Sequence, residues 1–205
     1  MPDLQPLDIA ALGKLSEMIG LGWRVHSWQA VLVAVSGPPE SPSVLHRETV
    51  TLIDDESVRE PYHAAAALPR DDAPAFIESI EEATAAAAAE KIRALVSALG
   101  PVAAVGVVGG NRKLPELSRI LVKHALLHAA DRDLYEQAII EGTARVGLPV
   151  TTLPATGALL DQASQVLGVA LGPSLAELGK SIGPPWQKDY REATAAALVA
   201  LDALG

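Results

Sequence analysis

The sequence contains no cysteine, which excludes disulfide bonds and thiolate metal sites and fits a reducing compartment. Aromatic residues are scarce, with three tryptophans, three tyrosines and one phenylalanine, so the core must consist mainly of aliphatic side chains. No apolar run approaches the roughly 20 residues of a membrane-spanning helix, and the longest alanine-rich run, residues 83–89, is interrupted by Thr84. The first residues lack the basic and apolar segments of a signal peptide. We therefore expect a cytoplasmic protein without membrane association.

Size and charge narrow the class of protein further. The 205 residues fit one domain, and the 49% of hydrophobic residues are typical of a globular chain. We predict a helical N-terminal extension over residues 1–22 and a single α/β domain over residues 23–205. The net charge of −9 disfavours nonspecific nucleic-acid binding, although a local basic patch is compatible with it. Long alanine-rich helices are also compatible with a homodimer.

Hydrophobic patterning predicts an α/β fold with a mixed sheet covered by helices on both faces. Short β-branched or alternating apolar runs bounded by glycine or proline predict the strands. They cover residues 28–35, 43–53, 102–108 and 150–153, with a weaker candidate at 58–63. Helical spacing of apolar residues predicts helices over residues 7–19, from about 71 to 99, from about 114 to 146, and over 156–167, 173–178 and 188–204. Gly20 and Gly22 follow the first of these helices and are interpreted as its C-terminal stop.

The order of elements from residue 28 to residue 204 resembles the RNase H-like superfamily, and within it the RuvC-like branch of junction resolvases. Three strands, a helix, a strand, a helix, a strand and a closing helix form that family's layout. Asp189, at the head of the last helix, matches the position of its closing carboxylate. The resemblance also implies an aspartate in the first strand and a glutamate at the end of the fourth. Neither residues 30–36 nor residues 107–111 contain an acid, so the resemblance implies a degenerate active site.

A glycine-rich turn after the predicted strand 102–108 is a candidate ligand-binding or phosphate-binding site. Its residues are Gly109, Gly110, Asn111, Arg112 and Lys113. Glycines let a backbone approach an anion closely, while a following helix N-terminus and two basic side chains would add positive potential. The turn matches no known phosphate-binding motif, so an ordinary connector is the other interpretation.

Two histidines and an aspartate at helical spacing are a candidate divalent-metal site. His124, His128 and Asp131 follow one another at spacings of four and three positions, which places them on one face of a helix. Two imidazoles at this spacing can share a metal ion, and a carboxylate one turn further on can complete the ligand set. His63 could approach from another segment. The other interpretation is a pair of structural histidines that hydrogen-bond to Asp131 or Asp133.

Trp186 precedes Lys188 and Asp189 and follows two prolines, so it is presented rigidly. It could cover a ligand, but a tryptophan in such a place more often packs against the sheet edge and fixes the last helix. Three segments also resemble an uncharacterised bacterial protein family, which implies no function. They are residues 61–63, 124–135 and 183–186.

Two functional hypotheses remain at this point. The first is a non-catalytic or divergent RNase H-like domain that acts in binding or assembly. Two-metal hydrolysis needs carboxylates that hold two cations about 4 Å apart, which one aspartate cannot do. The alternative is a divergent metal-dependent hydrolase, either a nuclease or a phosphoesterase. Its predicted residues are Asp189, His124, His128 and Asp131. The choice between the two, and with it whether the chain is an enzyme, stays open.

Overall fold

One mixed sheet of five strands forms the centre of the molecule in the computed structural model, which describes residues 18 to 205. The strands are β1 (Ile19–His26), β2 (Gln29–Ser36), β3 (Ser43–Thr51), β4 (Val102–Val108) and β5 (Val150–Leu153). Their order across the sheet is β3-β2-β1-β4-β5. β1 pairs antiparallel with β2, and β2 with β3, whereas β4 runs parallel to both β1 and β5. The C-terminal ends of β1, β4 and β5 therefore lie at the same edge of the sheet.

Helices cover both faces of this sheet. They are α1 (Pro61–Ala66), α2 (Ala73–Leu99), α3 (Leu117–Ile120), α4 (His124–Val146), α5 (Leu159–Leu167), α6 (Leu171–Ile182) and α7 (Lys188–Asp202), with a 3₁₀ turn at Glu56–Val58. α1, α2 and α4 share one hydrophobic core with residues such as Trp23, Ile92 and Tyr135. α5, α6 and α7 share a second core, rich in alanine and valine, on the opposite face. Within residues 18–205 no helix has the length and apolar character needed to cross a membrane.

The closing helix α7 lies directly on the sheet because the strands beneath it carry glycine. A Cβ atom at Gly22 would stand 1.8 Å from the carbonyl oxygen of Ala193, and one at Gly106 would stand 2.0 Å from that of Ala196. Small residues on both surfaces thus allow two backbones to come into contact. This contact fixes the start of α7 against the C-terminal half of β1, where the polar residues of the helix meet Arg24.

The first strand differs from the prediction. β1 begins at Ile19, so Gly20 and Gly22 lie within a strand and do not end a helix. Residues 7–17 of the predicted helix lie outside the described part of the chain. The odd-numbered residues of β1 all face the core; they are Ile19, Leu21, Trp23 and Val25. The sheet therefore starts before residue 23, and the run at residues 28–35 is its second strand.

Two further boundaries also change. Residues 58–63 form no strand, because they pass from the 3₁₀ turn into α1, where Pro61 occupies the first turn of the helix. The helix predicted from about residue 114 begins later: residues 109–116 are irregular, α3 is a single turn, and α4 starts at His124. The strands predicted at residues 102–108 and 150–153 are confirmed at the same positions.

Candidate functional site

A nearly buried ion pair joins the first strand to the closing helix. The Nε atom of Arg24 in β1 donates to Oε2 of Glu192 in α7 at 2.7 Å. The two side chains are only 11% and 4% exposed. Arg24 reaches α7 because it lies on the same face of β1 as Gly20 and Gly22. Burial of either charge alone would be costly, so each side chain is held in place by the other.

Three further polar side chains, from Asp189, His26 and Lys188, extend this pair toward solvent. Oδ1 of Asp189 lies 3.1 Å from Nε2 of His26 and 3.9 Å from Nε of Arg24. Nζ of Lys188 lies 3.4 Å from the second carboxylate oxygen of Glu192. We call these five residues the charge cluster. In the charge cluster both carboxylates already have cationic or imidazole partners from the protein itself.

The glycine turn after β4 holds an internal carboxylate. The Gly110 N–H donates to Oε2 of Glu136 at 2.7 Å, and the Gly110 carbonyl accepts from the Gln137 side chain. Gly109 has a φ of +113°, and a Cβ there would stand 2.2 Å from the Glu136 carboxyl group. The residues that follow, up to residue 116, form no helix whose N-terminus could face this turn. The Gly110 N–H, which belongs to the predicted phosphate site, is therefore already bonded to Glu136.

The two acids beside this turn, Asp133 and Glu136, are largely shielded from solvent. Burial raises the pKa of Glu136, and the Gly110 N–H and Arg112 oppose that shift. Burial likewise raises the pKa of Asp133, against the attraction of Arg112. The guanidinium of Arg112 stands 3.9 Å from Glu136 and 4.0 Å from Asp133. The positive charge of Arg112 is thus partly balanced by Asp133 and Glu136, which weakens its attraction for an external phosphate.

Three histidines meet where α1 approaches the start of α4. His63 lies in α1, and His124 and His128 lie in the first two turns of α4. The ring centroids are 5.3 Å apart for His63 and His124, and 4.4 Å apart for each of the other two pairs. His124 and His128 are exposed, whereas His63 is half-buried. We call these three residues the histidine cluster.

Asp131 lies behind the histidine cluster and is only 2% exposed. Its Oδ1 accepts from the Tyr62 N–H at 2.7 Å, and its Oδ2 bonds to Nδ1 of His63. Burial raises the pKa of Asp131, and these two hydrogen bonds oppose the shift. Both carboxylate oxygens are therefore engaged in holding α1 against α4. The sequence predicted that Asp131 would share a metal ion with His124 and His128. In the structure its side chain bonds to His63.

Trp186 fixes the turn before the closing helix. Its Nε1 donates to the carbonyl of Leu175 at 2.7 Å, and its ring packs against Gly179 in α6. Arg47 on the edge strand β3 donates to three carbonyls of the same turn, at residues 182, 183 and 184. These contacts match the structural interpretation of Trp186, which secures the end of α6 and the entry to α7.

The structure separates the residues of the hydrolase hypothesis. His124 and His128 lie on the face of the sheet covered by α1 and α4, whereas Asp189 lies on the face covered by α7. Asp189 contacts Arg24 and His26, and not His124 or His128. Sequence reasoning overlooked Arg24, although the alternation in β1 places it on the polar face. It also overlooked Glu192, although the residue lies one helical turn after Asp189.

Comparisons with known proteins support the layout. No protein-family model and no curated protein matches this chain. A structure of T. thermophilus RuvC in complex with a Holliday junction substrate matches with a TM-score of 0.53 and 14% identity, covering 89% of this chain and 91% of that one. A second Thermus thermophilus RuvC structure matches with a TM-score of 0.50 and 16% identity, covering 89% and 92%. The fold is RNase H-like. This confirms the layout predicted from the order of the elements.

The charge cluster does not fit the cations that the RNase H-like layout implies. The first strand carries no acid, and glycine follows the fourth strand. Arg24 lies against Glu192, and a guanidinium stays protonated at any physiological pH. A divalent cation beside Arg24 would be repelled and would compete for an oxygen that already accepts a hydrogen bond.

Proposed function

We propose that this chain is a non-catalytic RNase H-like domain that acts in binding or assembly. The observation that carries the proposal is the 2.7 Å bond between Arg24 and Glu192. Two-cation hydrolysis needs carboxylate oxygens that are free to bridge two metal ions. Here the best-buried carboxylate of the charge cluster is neutralised by a permanent cation on the first strand.

The other members of the charge cluster support the same conclusion. Lys188 reaches the second oxygen of Glu192, and Asp189 lies beside His26 and Arg24. Such a network ties β1 to α7 and stabilises their contact without any bound ion. The fold is thereby kept while the chemistry of a carboxylate metal centre is lost.

The arrangement of the predicted residues argues against the hydrolase hypothesis. It requires Asp189 to act together with His124 and His128, yet these residues lie on opposite faces of the sheet. Asp131 is engaged with Tyr62 and His63. The part of that hypothesis that retains support is metal binding by histidine.

A second copy of this chain is the partner that we propose to test first. Three alanines on the long helix α2 are exposed, namely Ala83, Ala86 and Ala87, and small apolar side chains allow close helix contacts. The net charge of −9 works against binding to nucleic acid. Multi-angle light scattering would give twice the chain mass for a homodimer, and the mass of one chain would argue against it.

A cleavage assay tests the loss of nuclease chemistry. Full-length protein without a tag is incubated with a synthetic four-way DNA junction and either Mg²⁺ or Mn²⁺. We expect no cleavage by the wild type at enzyme excess. Glu192→Gln and Asp189→Asn serve as matched controls, because each removes one carboxylate and keeps its shape. Cleavage by the wild type that disappears in either variant would contradict the proposal.

A further inference from the structure

The ring nitrogens of the histidine cluster have the spacing of metal ligands. One nitrogen of each ring lies within 4.8 Å of those of the other two. The Nε2 atoms of His124 and His128 are 3.1 Å apart. Two imidazole nitrogens on a tetrahedral zinc ion stand about 3.3 Å apart, since each Zn–N bond is about 2.0–2.1 Å long. Small side-chain adjustments would therefore place an ion between the three rings.

His63 is oriented for this role by its hydrogen bond. Its Nδ1 bonds to the buried carboxylate of Asp131, which leaves Nε2 as the available ring nitrogen. That Nε2 atom is buried and has no hydrogen-bond partner anywhere in residues 18–205. Buried polar atoms nearly always have a hydrogen-bonding or metal partner. We therefore expect this nitrogen, which lies next to two further imidazoles, to bind a partner that is not part of the chain. A carboxylate that accepts from one ring nitrogen typically holds a metal-ligating histidine in the required tautomer.

We propose that His63, His124 and His128 bind one Zn²⁺ ion through their Nε2 atoms, and that Asp131 positions His63. Imidazole nitrogen suits zinc and neighbouring transition metals, whereas Mg²⁺ and Ca²⁺ prefer oxygen ligands. Three protein ligands leave the fourth position of a tetrahedral ion open. Because His124 and His128 are exposed, that position faces solvent and accepts water or a small anion.

The elements explain why these residues meet. His128 lies four positions after His124, so both project from one face of α4. Asp131 lies one turn further along the same face and turns inward, where it bonds to the first turn of α1 at Tyr62 and to His63. The hydrogen bonds of Asp131 thus dock α1 so that its histidine completes the set. The residue predicted as a ligand is the one that assembles the site.

The metal site and the lost nuclease centre can be tested separately. The histidine cluster belongs to the α1 and α4 face, and the charge cluster to the α7 face. Cleavage that depends on Glu192 would overturn the proposed function and leave the zinc site untouched. Failure to bind zinc would overturn the zinc site and leave the non-catalytic assignment of the charge cluster in place.

The experiment is a metal titration of the full chain, prepared without a histidine tag and stripped of metal. Isothermal calorimetry with Zn²⁺ is expected to show one ion per chain. Titration with Co²⁺ is expected to show the visible absorption of a four-coordinate ion. Mg²⁺ is expected to give no heat, because the site offers no oxygen ligand. A Kd for Zn²⁺ weaker than about 100 μM would overturn the proposal.

Variants locate the ion. His63→Ala and His124→Ala are each expected to abolish the Co²⁺ absorption and the one-to-one Zn²⁺ binding. Asp131→Asn is expected to weaken Zn²⁺ binding by about 10-fold to 100-fold and to retain the stoichiometry. His46→Ala is the matched control, since His46 bonds to Glu48 on β3, outside the histidine cluster, and should leave binding unchanged.

Two outcomes of the variant series would overturn the site. One is Zn²⁺ binding that survives the loss of both His124 and His128. The other is an equal loss of binding in His46→Ala. Circular dichroism checks that each variant is folded. Should His63→Ala or Asp131→Asn fail to fold, the double variant of His124 and His128 still decides, because both side chains are exposed.

Discussion

The pair formed by Arg24 and Glu192 predicts a large and non-additive effect on stability. Arg24→Met removes the guanidinium and leaves a carboxylate that is only 4% exposed. Removal of one member of a buried pair typically costs about 3–5 kcal/mol. Lys188 still reaches this carboxylate at 3.4 Å and compensates in part. We therefore expect Arg24→Met to lower the free energy of unfolding by about 3 kcal/mol, at the lower end of that range.

The partner variant and the double variant complete the cycle. Glu192→Met leaves Arg24 with the more distant Asp189, at 3.9 Å, as its acidic partner within residues 18–205, so we expect a similar loss. In the double variant no buried charge lacks its partner, and apolar replacement of a whole ion pair is often neutral. We expect the double variant to lie within about 1 kcal/mol of the wild type, which gives a coupling energy of about 5 kcal/mol or more, because each single variant loses about 3 kcal/mol.

Urea unfolding measures these free energies. With an m value of about 2 kcal/mol/M, a loss of 3 kcal/mol moves the midpoint by roughly 1.5 M. Additive effects of the two single substitutions would refute the reasoning, because they would show that each side chain is stabilised independently. A cost below about 1 kcal/mol for Arg24→Met would equally refute it, since that is the value of an exposed pair.

The same assay tests whether the charge cluster accepts a cation. The His124→Ala/His128→Ala background removes metal binding at the histidine cluster. A cation bound at the charge cluster with a Kd of about 1 mM would stabilise this variant by about 1.4 kcal/mol when present at about 10 mM. We expect Mn²⁺ to give no such shift. A shift that Glu192→Gln abolishes would contradict the proposal that Arg24, and not a metal ion, neutralises Glu192.

Two further predictions concern the frame around the sites. Gly22→Ala would place a Cβ against the carbonyl of Ala193, so urea unfolding should show that the free energy of unfolding falls by about 3 kcal/mol. Gly172→Ala is the control: its Cβ would meet nothing within 4 Å, so the free energy of unfolding should change by less than about 1 kcal/mol. Equal effects of the two substitutions would argue against backbone contact between α7 and the sheet. Burial raises the pKa of Glu136 above its ordinary value of 4.5, so the stability that this group contributes is present below that value and is lost as pH rises through the higher folded pKa. Glu136→Gln removes the ionisation, so its free energy of unfolding relative to the wild type should increase as the pH rises above 4.5, and a constant difference would contradict the burial of this carboxyl.

Local signals in the sequence were sufficient for much of the fold. The buried strands β2 and β4 are uninterrupted apolar runs, and a strand with both faces covered must have that composition. β1 escaped prediction because Gly20 and Gly22 resemble a helix stop. Its glycines are required by the backbone of α7, which lies more than 160 residues later in the chain. A contact between segments so far apart in the chain cannot be predicted from a local sequence pattern.

The histidine cluster divides in the same way. The spacing of His124 and His128 predicted two imidazoles on one helix face, since a helix turns once every 3.6 residues. His63 joins them only because the hydrogen bonds of Asp131 dock α1 onto α4. The supporting role that we propose for Asp131 follows from the side on which α1 packs.

The sequence by itself determined the class of this protein, because strand and helix periodicity, alanine content and charge are local properties of the chain. It also shows that one of the expected acids is absent, since residues 107–111 contain none, but the absence of the other was visible only once the structure had placed the first strand at residues 19–26. Only the tertiary structure decided what replaced them. Arg24 and Glu192 are 168 residues apart, and their bond exists because glycine in β1 lets the closing helix settle on the sheet.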